Sequence, residues 1–483
     1  MVYVRKVKTG SGATAVQLVT KEGGTIVKME HLGSAHTKAE IEILLSIAHS
    51  RLHARQASLF PEDKHISSFR LTLKNSTSQL LWQSLADCYH FLGFNKLADE
   101  VFMALVIARV VEPTSKLDSL RVLLELGTTH HKKHELYHSL SLTISHDYRS
   151  VVSRLCVDYA SAKGLSLVLY DVTTLYFEVQ KEDEYRQPGM SKERRLEPQI
   201  IVGLLVNQDG FPLGLHSFAG RTAETRTIVP VLTAFCKQYE IKDLTVVADA
   251  AMLSTDNLEK LVMAGYHYIV GSRLYKIPYE ITEYQKTKEM EDNDIVVSQT
   301  SNQRVIYQYR AKRASLDLRN LEKQIEKAQR VVLGKTKVSR TKYVTVQAKQ
   351  KSLNQKLIDK ARSLAGIKGY VTNLDLPPQQ IISYYHQLFQ VEKSFRMAKS
   401  DFKARPIFHR KQDSIEAHLT IVLTAIAIGR LIEEKTKVSI KKFVQLLKPI
   451  RSGEVTINNH VYTAEAEIPE LIHILLQKLP SGH

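Results

Sequence analysis

The order of strands and helices between residues 163 and 275 constrains the fold of this 483-residue chain more than any other feature. An apolar strand, LSLVLYD, is followed by a hairpin that turns at Asn207–Gly210, a helix, a second apolar strand, LTVVAD, another helix and a last strand. This order predicts a mixed α/β sheet. A dinucleotide-binding βαβ fold is the competing interpretation, but it requires a glycine-rich turn where this chain has DVTTLYF.

Each of the two apolar strands runs into an aspartate, Asp171 in the first and Asp249 in the second. An aspartate in this position is often the N-cap of the next helix, and the local sequence leaves that role open. If both strands belong to one sheet, both carboxylates lie at the same edge of it.

A third carboxylate, Glu392, lies in the segment Tyr384–Arg410, which is predicted to be one helix that starts just after Pro377 and Pro378. One face of this helix would carry Tyr385, Leu388, Glu392, Phe395, Arg396 and Lys399. An ion pair between Glu392 and Arg396 is the simplest role for the glutamate. Alternatively it joins the two aspartates, and three converging carboxylates repel one another unless divalent cations lie between them. Oxygen ligands of this kind select Mg²⁺ or Mn²⁺.

The spacing Tyr385-x2-Leu388-x3-Glu392-x6-Lys399 resembles the Y-R-E-K signature of DDE transposases from bacterial insertion sequences. The resemblance covers nearly the whole chain and includes the hairpin PQIIVGLLVNQDGFPLGLHSF and the RPIFH run at 405–409. It implies an α/β catalytic core of RNase H-like fold, with a mixed five-stranded sheet and flanking helices. Because 142 residues separate Asp249 from Glu392, we expect a large insertion before the last catalytic helix.

The same resemblance implies a chemistry. Asp171, Asp249 and Glu392 would be the catalytic residues and would bind two Mg²⁺ or Mn²⁺ ions, a common device of phosphodiester chemistry. The substrate would be DNA: the terminal inverted repeats of a mobile element, which are cut and then joined to target DNA.

Several side chains around Glu392 are expected to contact that DNA. The resemblance assigns Tyr385 and Lys399 to positions near the cleaved phosphate, and Arg396 and Arg405 are predicted to bind DNA beside them. The chain departs from the signature at Leu388, where the family has arginine. Either Arg396 or a residue elsewhere must supply that charge.

The charge distribution supports a polyanionic partner. The net charge is +17 and the pI about 9.5, which leaves nucleic acid and anionic membrane as candidates. Residues 312–362 contain 15 Lys or Arg against 4 Asp or Glu, a net of +11. This basic tract is partly a solvated helix face, and we predict that it follows the DNA backbone through Lys335, Lys337, Arg340 and Lys342.

The length predicts several domains. A small β unit with a hairpin turn at Gly23-Gly24 precedes a mainly helical, DNA-binding N-terminal region that starts with a capping box at Thr37 and Glu40. Two parts of the catalytic core flank a basic insertion domain, and a small C-terminal region follows. The predicted boundaries are 1–36, 37–160, 161–275, 276–365, 366–435 and 436–483.

The remaining signals concern the compartment. Cys88, Cys156 and Cys236 are scattered, which fits a reducing environment and gives no C-x-x-C zinc site. No apolar run reaches about 18 residues, and the first residues lack a hydrophobic signal region. We therefore expect a cytoplasmic, nucleoid-associated protein without a membrane partner, and we interpret the run at 419–429 as a buried helix.

A histidine-rich segment, HHKKHELYH, is the other possible metal site. His130, His134 and His138 would share one helical face. Since no cysteine or carboxylate cluster completes a zinc shell, a solvated basic face is the expected state.

Three functions remain open. The first is an active transposase, expected to be a homodimer in its DNA complex. The second is a nuclease of the same fold that hydrolyses DNA without joining it. The third is a DNA-binding protein descended from a transposase, which the complete set of three carboxylates argues against and the leucine at position 388 weakly supports.

Overall fold

The computed structural model describes residues 2–10, 12–53, 71–128, 131–178, 181–189, 197–241, 243–250, 254–272, 274, 276–300, 303–335, 342–347, 350–457 and 460–480. The chain divides into two compact units. The first unit contains residues 1–91, 120–130 and 431–483, and the second contains residues 92–119 and 131–430.

Among the described residues the strands are β1 Val2–Lys8, β2 Thr14–Glu22, β3 Thr25–Ala35, β4 Leu71–Thr77, β5 Leu167–Tyr176, β6 Gln199–Asn207, β7 Pro212–Ala219, β8 Thr245–Ala248, β9 His267–Ser272, β10 Ile295–Thr300, β11 Gln303–Tyr309, β12 Val344–Gln347, β13 Gln350–Leu353, β14 Ile367–Thr372, β15 Ser452–Ile457 and β16 His460–Ala464. The helices are α1 Lys38–His53, α2 Gln79–Phe91, α3 Glu100–Val111, α4 Ser119–Leu126, α5 Lys133–Ser145, α6 Tyr148–Ser161, α7 Ile228–Tyr239, α8 Thr255–Met263, α9 Tyr279–Thr287, α10 Ala311–Val332, α11 Gln355–Ser363, α12 Pro378–His386, α13 Phe389–Arg396, α14 Gln412–Thr436, α15 Ile440–Leu447 and α16 Glu470–Leu476.

The first unit begins with an antiparallel sheet in the order β1-β2-β3. The hairpin turn predicted at Gly23 and Gly24 is confirmed, since β2 and β3 pair across it and both glycines have a positive φ. The predicted capping box at the start of α1 is confirmed as well. The Thr37 hydroxyl accepts from the Glu40 amide and the Glu40 carboxylate accepts from the Thr37 amide, each at 3.3 Å. In the same unit, β4 joins a second sheet in the order β16-β15-β4.

The second unit is built on one mixed sheet in the order β10-β11-β14-β9-β8-β5-β6-β7. The predicted succession of strand, hairpin, helix, strand, helix and strand is confirmed by β5, β6, β7, α7, β8, α8 and β9. Of these strands, β5, β8 and β9 run parallel, as an RNase H-like core requires. The prediction of five strands is wrong, because β14 pairs with β9 and then carries β11 and β10, which extends the sheet to eight.

Apolar side chains pack between one face of this sheet and helices α6, α7 and α8. On the central strand β5 the residues that enter this core are Val168, Tyr170 and Val172. Side chains alternate along a strand, so Asp171 and its neighbours at odd positions point to the opposite face. All nine residues of β6 are buried, which explains why that strand reads as one continuous apolar run.

One carboxylate connects three helices of the second unit. Asp99 caps α3 by accepting a hydrogen bond from the Phe102 amide at 2.8 Å. It also accepts from the hydroxyls of Ser139 on α5 at 2.8 Å and Tyr148 on α6 at 3.1 Å. This network fixes the N-terminal end of α3; the basic cavity described below lies at its C-terminal end.

The basic tract folds into α10, the hairpin β12-β13 and α11. α10 is amphipathic: Leu321, Ile325 and Ala328 pack with Tyr343 and Ile358 in a small core, while its Lys and Arg side chains are exposed. The predicted solvated helix face is therefore confirmed, and it belongs to α10, which packs into a core on its other side.

The prediction of a single helix over Tyr384–Arg410 is wrong. α12 ends at His386, α13 is a separate helix, and a π-helical turn follows at Met397–Asp401. Residues 402–411 are irregular, because Lys403 has a φ of +42° and Pro406 cannot continue a helix. The predicted face is divided as well, since Tyr385 and Leu388 are buried whereas Glu392 and Arg396 are exposed.

By length and composition, α14 could cross a membrane; within the described residues no other helix meets both criteria. In this structure 89% of its most apolar stretch is buried inside the fold. The interpretation of residues 419–429 as a buried helix is confirmed.

Candidate active site

The two aspartates lie side by side on neighbouring parallel strands. β5 and β8 pair with Leu169 beside Val247, so that Asp171 and Asp249, each two residues further on, are level with one another. Both face away from the core that contains Tyr170. Adjacent strands are about 4.8 Å apart, so the sheet itself sets the backbone separation of the two acids.

Neither aspartate caps a helix. β5 continues past Asp171 to Tyr176, so Asp171 lies within the strand and no helix begins directly after it. Asp249 follows β8, but the next helix, α8, is capped by Ser254, whose hydroxyl accepts from the Asn257 amide at 3.3 Å. The two carboxylates are thus not used as helix caps.

Glu392 is held over the same face of the sheet because α13 packs on β5 and β6. Two hydrogen bonds attach the helical region to the β6-β7 turn: the Ser394 hydroxyl donates to the Gly210 carbonyl at 2.7 Å, and the Arg430 guanidinium donates to the Asp209 carbonyl. Gly210 has a φ of +81°, and a Cβ there would collide with the Arg430 guanidinium. The hairpin predicted from sequence therefore positions the third carboxylate.

Asp171, Asp249 and Glu392 line one cavity of about 360 Å³. Asp171 is half-buried, and the other two are exposed. Across the described ranges, no three Asp, Glu, His or Cys side chains are close enough to hold a single metal ion together. The carboxylates share a cavity without forming a closed ligand set, an arrangement that mutual repulsion favours.

Tyr385 lies beside one of these acids. It is buried, with 7% of its surface exposed, and its hydroxyl faces the Asp249 carboxylate. Burial first, and then the charge of Asp249, raises the pKa of the phenol, so that it remains a donor. The ring packs edge-on against Tyr370, with centroids 5.0 Å apart. Gly271 on β9 makes room for it, since a Cβ there would lie 2.7 Å from the Tyr385 hydroxyl oxygen.

Lys368 on β14 is a functional candidate that sequence reasoning missed. It lines the same cavity, and its ammonium lies 4.3 Å from the ring centroid of Tyr385. Burial and then the charge of Arg313 lower its pKa, whereas Asp249 and Glu392 oppose that shift. Lys368 therefore interacts with two of the three carboxylates. The sequence does contain a signal that could have identified it, because Lys368 is the one charged residue in the apolar strand IKGYVT.

A second cavity, of about 430 Å³, shares Asp249, Lys368 and Tyr385 with the first. Arg313 and Asp317 on α10 also line it. The insertion thus contributes a wall next to the candidate active site.

The other three cations predicted to bind DNA near Glu392 have different surroundings in the structure. Lys399 donates to the hydroxyl of Thr173 on β5, two residues from Asp171. Arg396 is exposed at the end of α13, and within the described structure no ion pair joins it to Glu392, so the simplest role for that glutamate is excluded. Arg405 lies over the Tyr176 ring at 5.5 Å and lines a different cavity.

Two of the four predicted contacts in the basic tract fall on described residues. Lys335, just after α10, and Lys342, just before β12, are both exposed. Lys337 and Arg340 lie outside the described residues, so their predicted role remains a sequence-based prediction.

The histidine-rich segment forms the start of α5. His134 and His138 are exposed, and His131 lies 3.7 Å from the Glu135 carboxylate. His130 lies outside the described residues.

A mixed sheet of RNase H-like order that brings three carboxylates to one cavity is typical of metal-dependent enzymes that act on phosphodiesters. Comparison with protein families makes this more specific. Residues 162–428, more than half of the chain, match the family model described as the Transposase DDE domain. The chain belongs to this family, which implies DNA transposition; its domain is typically a catalytic nuclease and strand-transfer enzyme.

A comparison with solved structures matched two transposase complexes. One is a piggyBac transposase synaptic complex with hairpin DNA, 10% identical, with a TM-score of 0.39 over 79% of this chain and 82% of that chain. The other is the Mos1 transposase paired-end complex with left transposon end, 13% identical, with a TM-score of 0.16 over 46% of this chain and 65% of that chain. No curated protein matches the sequence.

The donor set fits the divalent ions that DDE transposases generally use. Asp171, Asp249 and Glu392 offer only hard oxygen ligands, as Mg²⁺ and Mn²⁺ prefer. They line an open cavity and carry repulsive charges that a cation would neutralise. These three residues would together hold two such ions rather than enclose a single one.

Proposed function

We propose that the protein is an active transposase of a bacterial insertion sequence, which binds the terminal inverted repeats, cleaves the element ends and joins them to target DNA. The observation that carries this proposal is the convergence of Asp171, Asp249 and Glu392, from three separate segments, on one cavity. A protein that only binds DNA has no use for three like charges held together at an energetic cost.

Two Mg²⁺ or Mn²⁺ ions, when bound, would activate the attacking oxygen and stabilise the leaving one. The chain holds and orients the reactants. Asp171 is fixed by the central strand, Asp249 faces the Tyr385 hydroxyl, and Glu392 is carried by α13. Lys368 places a cation beside them for the DNA phosphate, and so supplies the charge that the signature's arginine would have provided.

The rest of the proposal concerns the DNA and the assembly. Regions 37–160 and 276–365 would be the DNA-binding parts, the first reading sequence and the second following the backbone through the exposed Lys335 and Lys342. The complex with DNA would contain a homodimer, and the protein would act in the cytoplasm at the nucleoid.

The test uses labelled DNA that carries the inverted repeats flanking the gene, together with an unlabelled target plasmid. In Mg²⁺ we expect both cleaved ends and joined product from the wild type, and neither in chelator. Glu392→Gln should bind the ends but give no product. Glu259→Gln, an exposed glutamate on α8, is the matched control and should behave as wild type.

The alternatives predict different products. Cleavage without joining would identify a nuclease, and binding without any product in Mg²⁺ or Mn²⁺ would identify a DNA-binding protein. Equal activity in chelator would refute a role for the metal.

A further inference from the structure

A third cavity in the second unit, of about 470 Å³, is lined by basic side chains. We call it the basic cavity. Its cationic and imidazole groups come from the end of α3, the segment after it, the 402–411 segment and α14: Arg109, Lys116, Lys403, Arg405, His409 and His418. Of the described residues that line it, none is Asp or Glu.

Burial makes this charge unusual. Arg109 is 7% exposed, Lys116 6% and His418 4%. No carboxylate lines the cavity beside Arg109 and Lys116, and within the described structure the buried Nδ1 of His418 has no hydrogen-bond partner. An isolated buried cation is costly unless an anion accompanies it.

The electrostatics agree with the geometry. Burial lowers the pKa of Arg109 to about 10. Burial and then Arg109 lower the pKa of Lys116 well below its usual value, and burial, Lys116 and Arg109 lower the pKa of His409 to about 4. Burial thus destabilises the charged form of all three groups, neighbouring cations add to this for Lys116 and His409, and a bound anion would oppose both effects.

Aromatic side chains of the same cavity are exposed. Phe408 is 72% exposed and Tyr137 46% exposed. Exposed aromatic rings beside buried cations are the combination that binds unpaired nucleotides, because bases stack on the rings while cations hold the phosphate.

The basic cavity is separate from the cavity that Asp171, Asp249 and Glu392 line, but both lie beside β5. Ile407 pairs with Phe177 just after β5, and the Ile407 amide donates to the Tyr176 carbonyl at 3.2 Å. Tyr176 is five residues from Asp171, or about 17 Å along the strand. Lys399, bonded to Thr173, lies between them. A DNA strand with one phosphate at the carboxylates could therefore reach the basic cavity within a few nucleotides.

We propose that the basic cavity binds a phosphate of an unpaired DNA nucleotide, with Arg109 and Lys116 on the phosphate and Phe408 against the base. This inference rests on the proposed function in that it takes DNA as the ligand. It requires no catalysis, so it can fail or succeed independently of the cleavage test.

Binding is measured by calorimetry and thermal denaturation of the full chain without divalent metal. The probes are inorganic phosphate, a 5′-phosphorylated single-stranded tetranucleotide and the same oligonucleotide without its terminal phosphate. We expect phosphate to raise the Tm and to compete with the oligonucleotides, which bind at least tenfold more tightly than phosphate. The ratio between the two oligonucleotides distinguishes a terminal from an internal phosphate.

Three variants separate a ligand site from a structural feature. Lys116→Met should abolish stabilisation by phosphate and, because it removes a buried charge, should leave the Tm of the free protein unchanged or higher. In Phe408→Ala the oligonucleotides should bind no more tightly than inorganic phosphate, and phosphate itself should bind as it does to the wild type. Lys237→Met, an exposed lysine on α7, is the matched control and should change neither.

The opposite results would overturn the proposal. If Lys116→Met lowers the Tm of the free protein and phosphate stabilises it as before, Lys116 is structural and the cavity is no anion site. If phosphate binds but oligonucleotides bind no better and Phe408→Ala has no effect, the DNA assignment is wrong.

Discussion

The proposed catalytic cavity, lined by Asp171, Asp249 and Glu392, and the basic cavity carry opposite charges and differ in exposure. The acids of the first are exposed or half-buried, so water and salt screen their repulsion in the free protein. Arg109 and Lys116 in the second are buried, where neither water nor salt screens their charge. We therefore expect substitutions of the three acids to change reaction rates. Substitutions of the buried cations should instead change the free energy of unfolding of the free protein.

The largest expected effect separates the two cavities. Asp171→Asn should lower the rate of end cleavage by about 10³-fold or more, roughly 4 kcal/mol of transition-state stabilisation. The Tm and the stabilisation by phosphate should stay as in the wild type, measured by gel assay and thermal denaturation. Loss of phosphate stabilisation in this variant would show that the cavities are coupled.

Lys368 tests which cation replaces the signature's arginine. Lys368→Met should slow cleavage by about 10- to 100-fold, or about 1.4–2.7 kcal/mol. Arg396→Met, at an exposed position outside the cavity lining, is the control and should have a much smaller effect. The reverse ranking of the two rates would assign the missing charge to Arg396.

Gly271 and Tyr385 should behave as a coupled pair. Gly271→Ala would push the Tyr385 hydroxyl off Asp249 and slow cleavage several-fold. Tyr385→Phe removes the atom that the new Cβ would meet, so adding Gly271→Ala to it should have little further effect. A double-mutant cycle on cleavage rates should give a coupling of about 0.5–3 kcal/mol. Additive effects would mean that Gly271 acts elsewhere.

The smallest expected effect is a pH dependence at the basic cavity. The pKa of His409 is about 4 in the fold against an ordinary 6.5, so between these values the unfolded chain binds a proton that the folded ring does not. Stability should therefore fall as the pH falls through this range. Urea unfolding at several pH values measures this effect. The free energy of unfolding should fall less steeply with falling pH in His409→Asn than in the wild type, and also less steeply in the wild type when phosphate is saturating. His216, also lowered to about 4, remains in both proteins as an internal reference.

Sequence reasoning predicted the catalytic core because its signals are local. Strand order, the hairpin at Asn207–Gly210 and the two strand aspartates can be read from alternation and turn residues, and parallel pairing then brings Asp171 and Asp249 together. The break between α12 and α13 was missed, because nothing in the local spacing marks it.

Features that depend on distant pairing could not be predicted. Lys368 acquires its role only because β14 joins the sheet beside β9, which is a property of the eight-stranded arrangement. The basic cavity combines Arg109 and Lys116 with His418, about three hundred residues away in the sequence. Only the tertiary fold shows that these cations share one buried space.

The way the insertion is attached to the sheet has a consequence for evolution and engineering. β9 ends at Ser272, and that residue pairs with Gly369 on β14, so the chain leaves and re-enters the core on adjacent strands about 5 Å apart. A graft with closely spaced ends, or a shortened version, could replace the segment between β9 and β14 at little entropic cost, about 0.6 kcal/mol per doubling of length, provided that it keeps a strand to pair with β14 as β11 does. Arg313 and Asp317 line the cavity beside Tyr385, so under the proposed function each exchange would also change the surface that meets the DNA. The junction would then let DNA specificity change while the sheet that carries the three carboxylates stays the same.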